Sequence, residues 1–166
     1  FSNNEYLTKV TLPESLESIG AYAFSDVPLE QITIPSNVER IDVGAFYGTD
    51  IKEISIPYKV KVLNATFEGC MDLQKVTLSE GVETLENTFE SCHALTTITI
   101  PASVTSIIGA FSDCTSLEHI DVSNGNTHFM DHEGVLYDEI EKSLVAYPGK
   151  KSDRTYTVIA GTEKIG

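Results

Sequence analysis

The chain has 166 residues, 41% of them apolar and 22% charged, and 25 acidic against 11 basic side chains give a net charge of −14. That balance suits a packed core rather than a disordered chain, and the carboxylate excess repels phosphate backbones and anionic membranes, which disfavours nucleic acid as a partner. No apolar run approaches the roughly 18 residues of a membrane span, so no membrane insertion is expected.

From the N-terminus, a leucine-like residue returns every 22 positions: Leu7, Leu29, Ile51, Leu73, Leu95 and Leu117. Three residues after each stand Val10, Ile32, Ile54, Val76, Ile98 and Ile120, and two further on Leu12, Ile34, Ile56, Leu78, Ile100 and Val122. This L-x-x-L-x-L core at a fixed period signals stacked repeats, not a globular body. Alternation of apolar and polar residues predicts a strand there, with every second side chain turned away from the core. Pro13, Pro35, Pro57 and Pro101 end the strand, with serine instead at Ser79 and Ser123; proline lacks a backbone donor and suits the point where a ladder stops.

The second half of each unit carries Leu16, Val38, Val60, Val82 and Val104, then Ile19, Ile41, Leu63, Leu85 and Ile107, and closes on Phe24, Phe46, Phe67, Phe89 and Phe111. From the third unit on, one residue is lost before the phenylalanine and regained after it, so the strand register survives. Segments such as “VERIDVGAF” are too short and too β-branched for a long helix, so the back should be turns, short 3₁₀ pieces or a second set of short strands. Ordering a single unit costs more conformational entropy than its own few apolar side chains return, so neighbours must share a core. The expectation is an elongated solenoid with one parallel sheet along one face. “FSNNEYL” (1–7) matches “FSDCTSL” (111–117), and “VIAGTEKIG” (158–166) matches “LPESLESIG” (12–20) imperfectly. Residues 1–166 therefore read as one domain of about six repeats, cut within a repeat at both ends.

“LTTITIPASVTSIIGAFSDCTSL” resembles the consensus of the BspA-like leucine-rich repeats, roughly LTSITIPSSVTSIGSYAFSGCSSL, over nearly the whole chain. The segment 134–166 is similar to a β-hairpin insertion that such arrays carry near their end, and 129–155 is read as that insertion. Val135 and Tyr137 should pair with residues around Leu144–Ala146 across a “DEIEK” turn. The resemblance implies a right-handed leucine-rich repeat superhelix, mostly β, from a secreted or surface-attached bacterial protein. It implies adhesion to host or neighbouring-cell surface proteins or glycans, no cofactor and no enzymatic activity.

Candidate binding residues are the outward strand positions. One column is Lys9, Gln31, Glu53, Lys75, Thr97 and His119; the other is Thr11, Thr33, Ser55, Thr77, Thr99 and Asp121. The first varies in chemistry as a recognition surface would, whereas small hydroxyls also simply suit a solvated sheet face.

Cys70, Cys92 and Cys114 share one repeat position with Val27 and Thr49. The valine marks the slot as apolar, so the cysteines are expected to be buried free thiols rather than disulfides, and their wide spacing does not suit zinc. His128 and His132 are four apart, but the Asn-Gly turn signal and Gly134 point to a loop rather than a metal-holding helix. Asp131, Glu133, Asp138, Glu139 and Glu141 lack calcium-loop spacing and are expected to form a solvated hairpin tip. “NAT” at 64–66 is a glycosylation sequon, relevant only in a eukaryotic source. No G-x-S-x-G, glycine-rich phosphate loop or motif-paired carboxylate appears. The two readings of function are an extracellular, non-catalytic binding scaffold and a spacer with no ligand of its own.

Overall fold

The structure, a computed structural model, describes Phe1–Gly166. It contains no helix. In chain order the strands are β1 (Ser18–Ile19), β2 (Arg40–Ile41), β3 (Glu53–Ile56), β4 (Val62–Asn64), β5 (Lys75–Leu78), β6 (Thr84–Glu86), β7 (Thr97–Ile100), β8 (Ser106–Ile108), β9 (His119–Val122), β10 (Phe129–His132), β11 (Val135–Asp138), β12 (Ser143–Ala146) and β13 (Lys164–Ile165). Strands β3, β5, β7 and β9 carry the L-x-x-L-x-L core and make the front; β1, β2, β4, β6 and β8 make the back. Each coil of the solenoid passes once through both, so all pairings in this part are parallel.

The core lies between front and back as columns of like residues. Leu29, Ile51, Leu73, Leu95 and Leu117 are almost fully buried, as are Val38, Val60, Val82 and Val104. The phenylalanines form a continuous stack from Phe1 through Phe24, Phe46, Phe67 and Phe89 to Phe111, with centroids 5.1, 5.4, 5.5, 6.1 and 5.9 Å apart and planes within 17° of parallel. Such aromatic pairs add about 0.5–1.5 kcal/mol each beyond burial. Two left-handed residues flank the rings in every coil: Tyr22, Gly44, Ala65, Asn87 and Gly109 two before, and Asp26, Gly48, Gly69, Ser91 and Asp113 two after.

The missing residue has a structural consequence. Where it is present, the back strands β1 and β2 are two residues long; where it is absent, β4, β6 and β8 are three residues long and pair in one ladder. Removing the extra residue before the turn lets the back backbone stay extended one position further. The ladder breaks between β2 and β4, where the two coil types meet.

The parallel front is hydrogen-bonded in pairs rather than as one uninterrupted ladder. Lys9 bridges Gln31, β3 pairs with β5, and β7 pairs with β9. No backbone hydrogen bond joins 32–34 to 53–56, or 75–78 to 97–100. The coils at the first junction are held by the turns, as in Phe46 N–H to Thr66 O, and those at the second by the β6–β8 pair and the turns, as in Phe89 N–H to Ala110 O.

Side chains replace the lost proline. At Ser79 the hydroxyl donates to Ile56 O at 2.6 Å, tying the strand end to the coil before it. The next residue, Glu80, accepts from the Ala102 and Ser103 amides of the following coil at 3.1 Å each. Gly81, next in the chain, has φ 142°, and a Cβ there would lie 2.0 Å from Tyr58 O, so the backbones approach too closely for any side chain.

After β9 the chain leaves the repeat. Strands β10, β11 and β12 form an antiparallel meander. Asp138 and the residues to 142 make the β11–β12 turn, and Tyr137 pairs with Leu144 as the alternation predicts. The loop expected around His128 and His132 is instead an Asx turn at Asn126 followed by β10; Asn126 Oδ1 accepts the His128 and Phe129 amides, and the strand then pairs with β11. The Glu133–Gly134 turn closes over β9, whose Ile120 N–H donates to Gly134 O at 2.9 Å. The meander thus covers the edge that the last front strand would leave open.

The solenoid then resumes. β13 pairs parallel with β12, and Glu163 N–H and Lys164 N–H both donate to Lys142 O. Glu39 and Arg40 make the same pair of bonds to Glu17 O, and Thr105 and Ser106 to Glu83 O. The last meander strand therefore stands in for the back strand of a coil.

Candidate binding face

Front strands β3, β5, β7 and β9 fix the outward columns from Glu53 on; the strands expected in the first two coils do not form, and Lys9, Thr11, Gln31 and Thr33 lie outside any strand, with Lys9 bridged to Gln31. The inward residues Ile54, Ile56, Ile98, Ile100 and Ile120 are held in the core, so their neighbours are turned to solvent along a rigid surface. Lys9, Gln31, Glu53, Lys75, Thr97, Thr11, Thr33, Ser55, Thr77, Thr99 and Asp121 are all exposed. His119 departs from the rest. The Glu133–Gly134 turn packs against it, and a Cβ on Gly134 would sit 2.5 Å from the His119 Cβ, so the imidazole is half-covered. Its Nε2 lies 3.4 Å from Asp121 Oδ2.

The unbonded junctions of the front are grooves. One, about 460 Å³, is lined by Lys9, Glu30, Gln31, Thr33, Lys52 and Glu53 over Ile32. A second, about 200 Å³, shares Ile32, Thr33 and Glu53 with it and continues to Ser55, Lys75 and Thr77. A third crosses the other junction, about 280 Å³, with Lys75, Thr77, Glu80, Thr97 and Thr99 among its walls. The column residues are thus brought together in threes and fours across neighbouring coils. Glu30 and Lys52 were not among the expected residues. They sit one position before the first column, where the chain enters the strand and consecutive side chains both face out. The adjacent polar pairs Glu30-Gln31 and Lys52-Glu53 are the sequence signal for them.

The remaining titratable groups have structural settings. All three thiols are buried and free. Each donates to a phenylalanine carbonyl of the preceding coil: Cys70 to Phe46 O at 3.1 Å, Cys92 to Phe67 O at 3.2 Å and Cys114 to Phe89 O at 3.1 Å. Burial pushes Cys70 up to about 11 and Cys114 to about 12, and raises Cys92 further. They are poor thiolates and so poor nucleophiles.

The acids expected at a solvated tip divide. Asp131 accepts the Val122 amide at 3.0 Å, and Asp138 caps the β11–β12 turn through the Ile140 and Glu141 amides at 2.8 and 2.7 Å. Glu133, Glu139 and Glu141 are exposed, Glu141 beside Lys164. His128 lies just before β10 and His132 ends it, about 13 Å apart at strand rise, too far to share one ion. No three His, Cys, Asp or Glu side chains gather as metal ligands. Asn64 of the sequon is half-buried on β4 and donates to Glu86 Oε2 at 2.8 Å.

Residues 44–133 match the model of the BspA type leucine-rich repeat region, in 6 copies. The chain belongs to that family. Among solved structures it is similar to the pneumococcal vaccine antigen PcpA, with TM-score 0.80 and 24% identity over 93% of this chain and 50% of that one. It is also similar to a leucine-rich repeat protein of Bacteroides ovatus, with TM-score 0.71 and 34% identity over 75% of this chain and 34% of that one. A leucine-rich cell surface protein of Faecalibacterium prausnitzii matches with TM-score 0.75 and 26% identity, over 96% of this chain and 51% of that one. The chain thus spans from about a third to half of these proteins' length. No curated protein sequence matches it.

Proposed function

We propose that the chain is an extracellular or cell-surface binding scaffold that holds protein or glycan partners on its front face and performs no chemistry of its own. The observation that carries this reading is the front itself. Eleven of the twelve outward residues of the two columns are exposed over a buried apolar layer, and open grooves cross the front at two junctions. A rigid polar face loses little entropy when a partner is bound. The family and the surface-protein relatives point the same way, and solenoids of this kind expose extended surfaces for binding. A spacer is the second reading, favoured by the unbroken phenylalanine stack, which stiffens the coils along their axis.

The test is a broad array of matrix proteins, mucin glycans and intact cells probed with this chain. A captured partner should be lost when Lys9, Glu53, Lys75 and His119 are replaced together. An array without binding, or binding indifferent to that replacement, overturns the reading in favour of the spacer.

A further inference from the structure

We propose that the groove running across the front from Lys9 to Lys75 binds an acidic polysaccharide, with Lys9, Lys52 and Lys75 holding its anionic groups. The inference rests on the scaffold reading above and names the partner class for the same face.

The first support is the distribution of free positive charge. Of the 11 Lys and Arg side chains, six lie within 4.0 Å of a carboxylate: Arg40, Lys59, Lys61, Lys150, Lys151 and Lys164. None of these lies in the front grooves. Lys142, in the β11–β12 turn, and Arg154, in the loop between β12 and β13, are without a carboxylate partner. The other three free cations, Lys9, Lys52 and Lys75, all line the two joined grooves. On a chain of net charge −14, this is where positive charge is available to a ligand.

The second support is what else lines the groove. Thr33, Ser55, Thr77 and Gln31 offer hydroxyl and amide groups, and Glu30 and Glu53 offer acceptors that no lysine occupies. The floor is Ile32, Ile34 and Ile54, with no aromatic ring for a neutral sugar to stack on and no deep apolar hole for a peptide side chain. Recognition must therefore run through charge and hydrogen bonding, which a polyhydroxylated polyanion satisfies along its whole length. The third support is the junction beneath. No backbone hydrogen bond crosses between 32–34 and 53–56, so peptide groups there are open to a bound chain or its water.

The geometry suits a linear ligand. Three coil steps of ~4.8 Å place the Lys9 and Lys75 strands about 14 Å apart. Within the groove the three lysines stand against two carboxylates, Glu30 and Glu53. Charges on the back are about 10 Å away, beyond the Debye length of about 8 Å at physiological salt.

The experiment uses the intact chain in 0.15 M salt with four probes: a heparin oligosaccharide, polygalacturonate, neutral dextran and polyglutamate. The expected result is binding of at least one anionic glycan, lost in 0.5 M salt and at least 10-fold tighter than dextran or polyglutamate. The triple variant Lys9→Gln, Lys52→Gln, Lys75→Gln should weaken it at least 10-fold with an unchanged melting temperature. The control triple Lys59→Gln, Lys61→Gln, Lys164→Gln should leave it intact. Absence of binding to both glycans, equal binding of polyglutamate or dextran, or insensitivity to the first triple overturns the inference. Capture of a protein or neutral glycan on the array without these glycans sinks this inference alone and leaves the scaffold reading standing.

Discussion

Up to Val122, nearly every hydrogen bond between coils joins residues about 22 apart, as in Glu39 N–H to Glu17 O, and the core is made of columns in which each side chain touches its own counterpart. From Phe129 on, strands a few residues apart pair antiparallel, and a small separate core of Val135, Tyr137 and Leu144 gathers Met130, Tyr156 and Ile159 around it. The first region is stable only through its neighbours, so damage at one coil is felt by the coils on both sides. The second gathers its small core on one face, while Phe129 and Leu136 join the main core from the other, so damage confined to the small core should stay there. Between them, the meander contributes an edge cover for β9 and a template for β13, so the local unit is inserted into the solenoid without ending it.

The sharpest way to break that contrast is Phe67→Ala. Phe67 is fully buried and stacked on both faces, and its loss should cost about 3–5 kcal/mol. Chemical denaturation should show the loss across the repeats, and hydrogen exchange should rise in coils on either side. Protection lost in one coil only would mean the coils are independent.

Alkaline pH probes the same columns. An unfolded thiol ionises near 9.0, while burial keeps Cys70 protonated to about 11 and Cys114 to about 12. The folded state therefore holds protons that the unfolded state releases, and stability present below pH 9 falls as pH rises through 9 to 11. The slope approaches about 1.4 kcal/mol per pH unit for each thiol. Denaturation midpoints between pH 8 and 11, compared with the triple Cys→Val variant, isolate this slope; identical slopes would show that the thiols are not buried as described. Valine is chosen because Val27 already fills the equivalent slot.

Gly81→Ala tests the close approach of two coils. With Tyr58 O in the way of a Cβ, the expected destabilisation is about 1–3 kcal/mol, read from thermal melts. The smallest effect belongs to the local unit. Tyr137→Phe removes the 2.8 Å hydroxyl contact with Tyr156 and should cost about 0.5–1.5 kcal/mol. Exchange should accelerate in 129–165 and stay unchanged in the repeats; a change spreading to β5 or β7 would merge the two regions.

Much of this was legible in the residues. The 22-residue period fixed the core columns, because a side chain that recurs in step must meet its copy. Val27 in the cysteine slot told that the thiols were buried. The β11–β12 pairing followed from the alternation of Val135 and Tyr137. Other features were not legible, for definable reasons. Periodicity reports which way a side chain points, not which peptide groups are bonded, so the pairwise front could not be read from it. “NTHFMDHEG” joins a turn signal to a short strand, and the turn residues hid β10. Lys52 and Glu30 lie where the chain enters the strand and two successive side chains face outward, which strict alternation does not anticipate. β12 carries the back-strand pattern, with Ser143-Leu144 standing where Ser18-Ile19, Thr84-Leu85 and Ser106-Ile107 stand, but the alternation of the meander masked it.

The two junctions without front hydrogen bonds have a mechanical consequence. At the first, the back ladder is also broken, between β2 and β4, and the turns alone hold, through Phe46 N–H to Thr66 O and Gly48 N–H to Glu68 O; at the second, β6 still pairs with β8. The first is therefore the weaker joint of the two. A pull along the solenoid axis should part the first junction before the second.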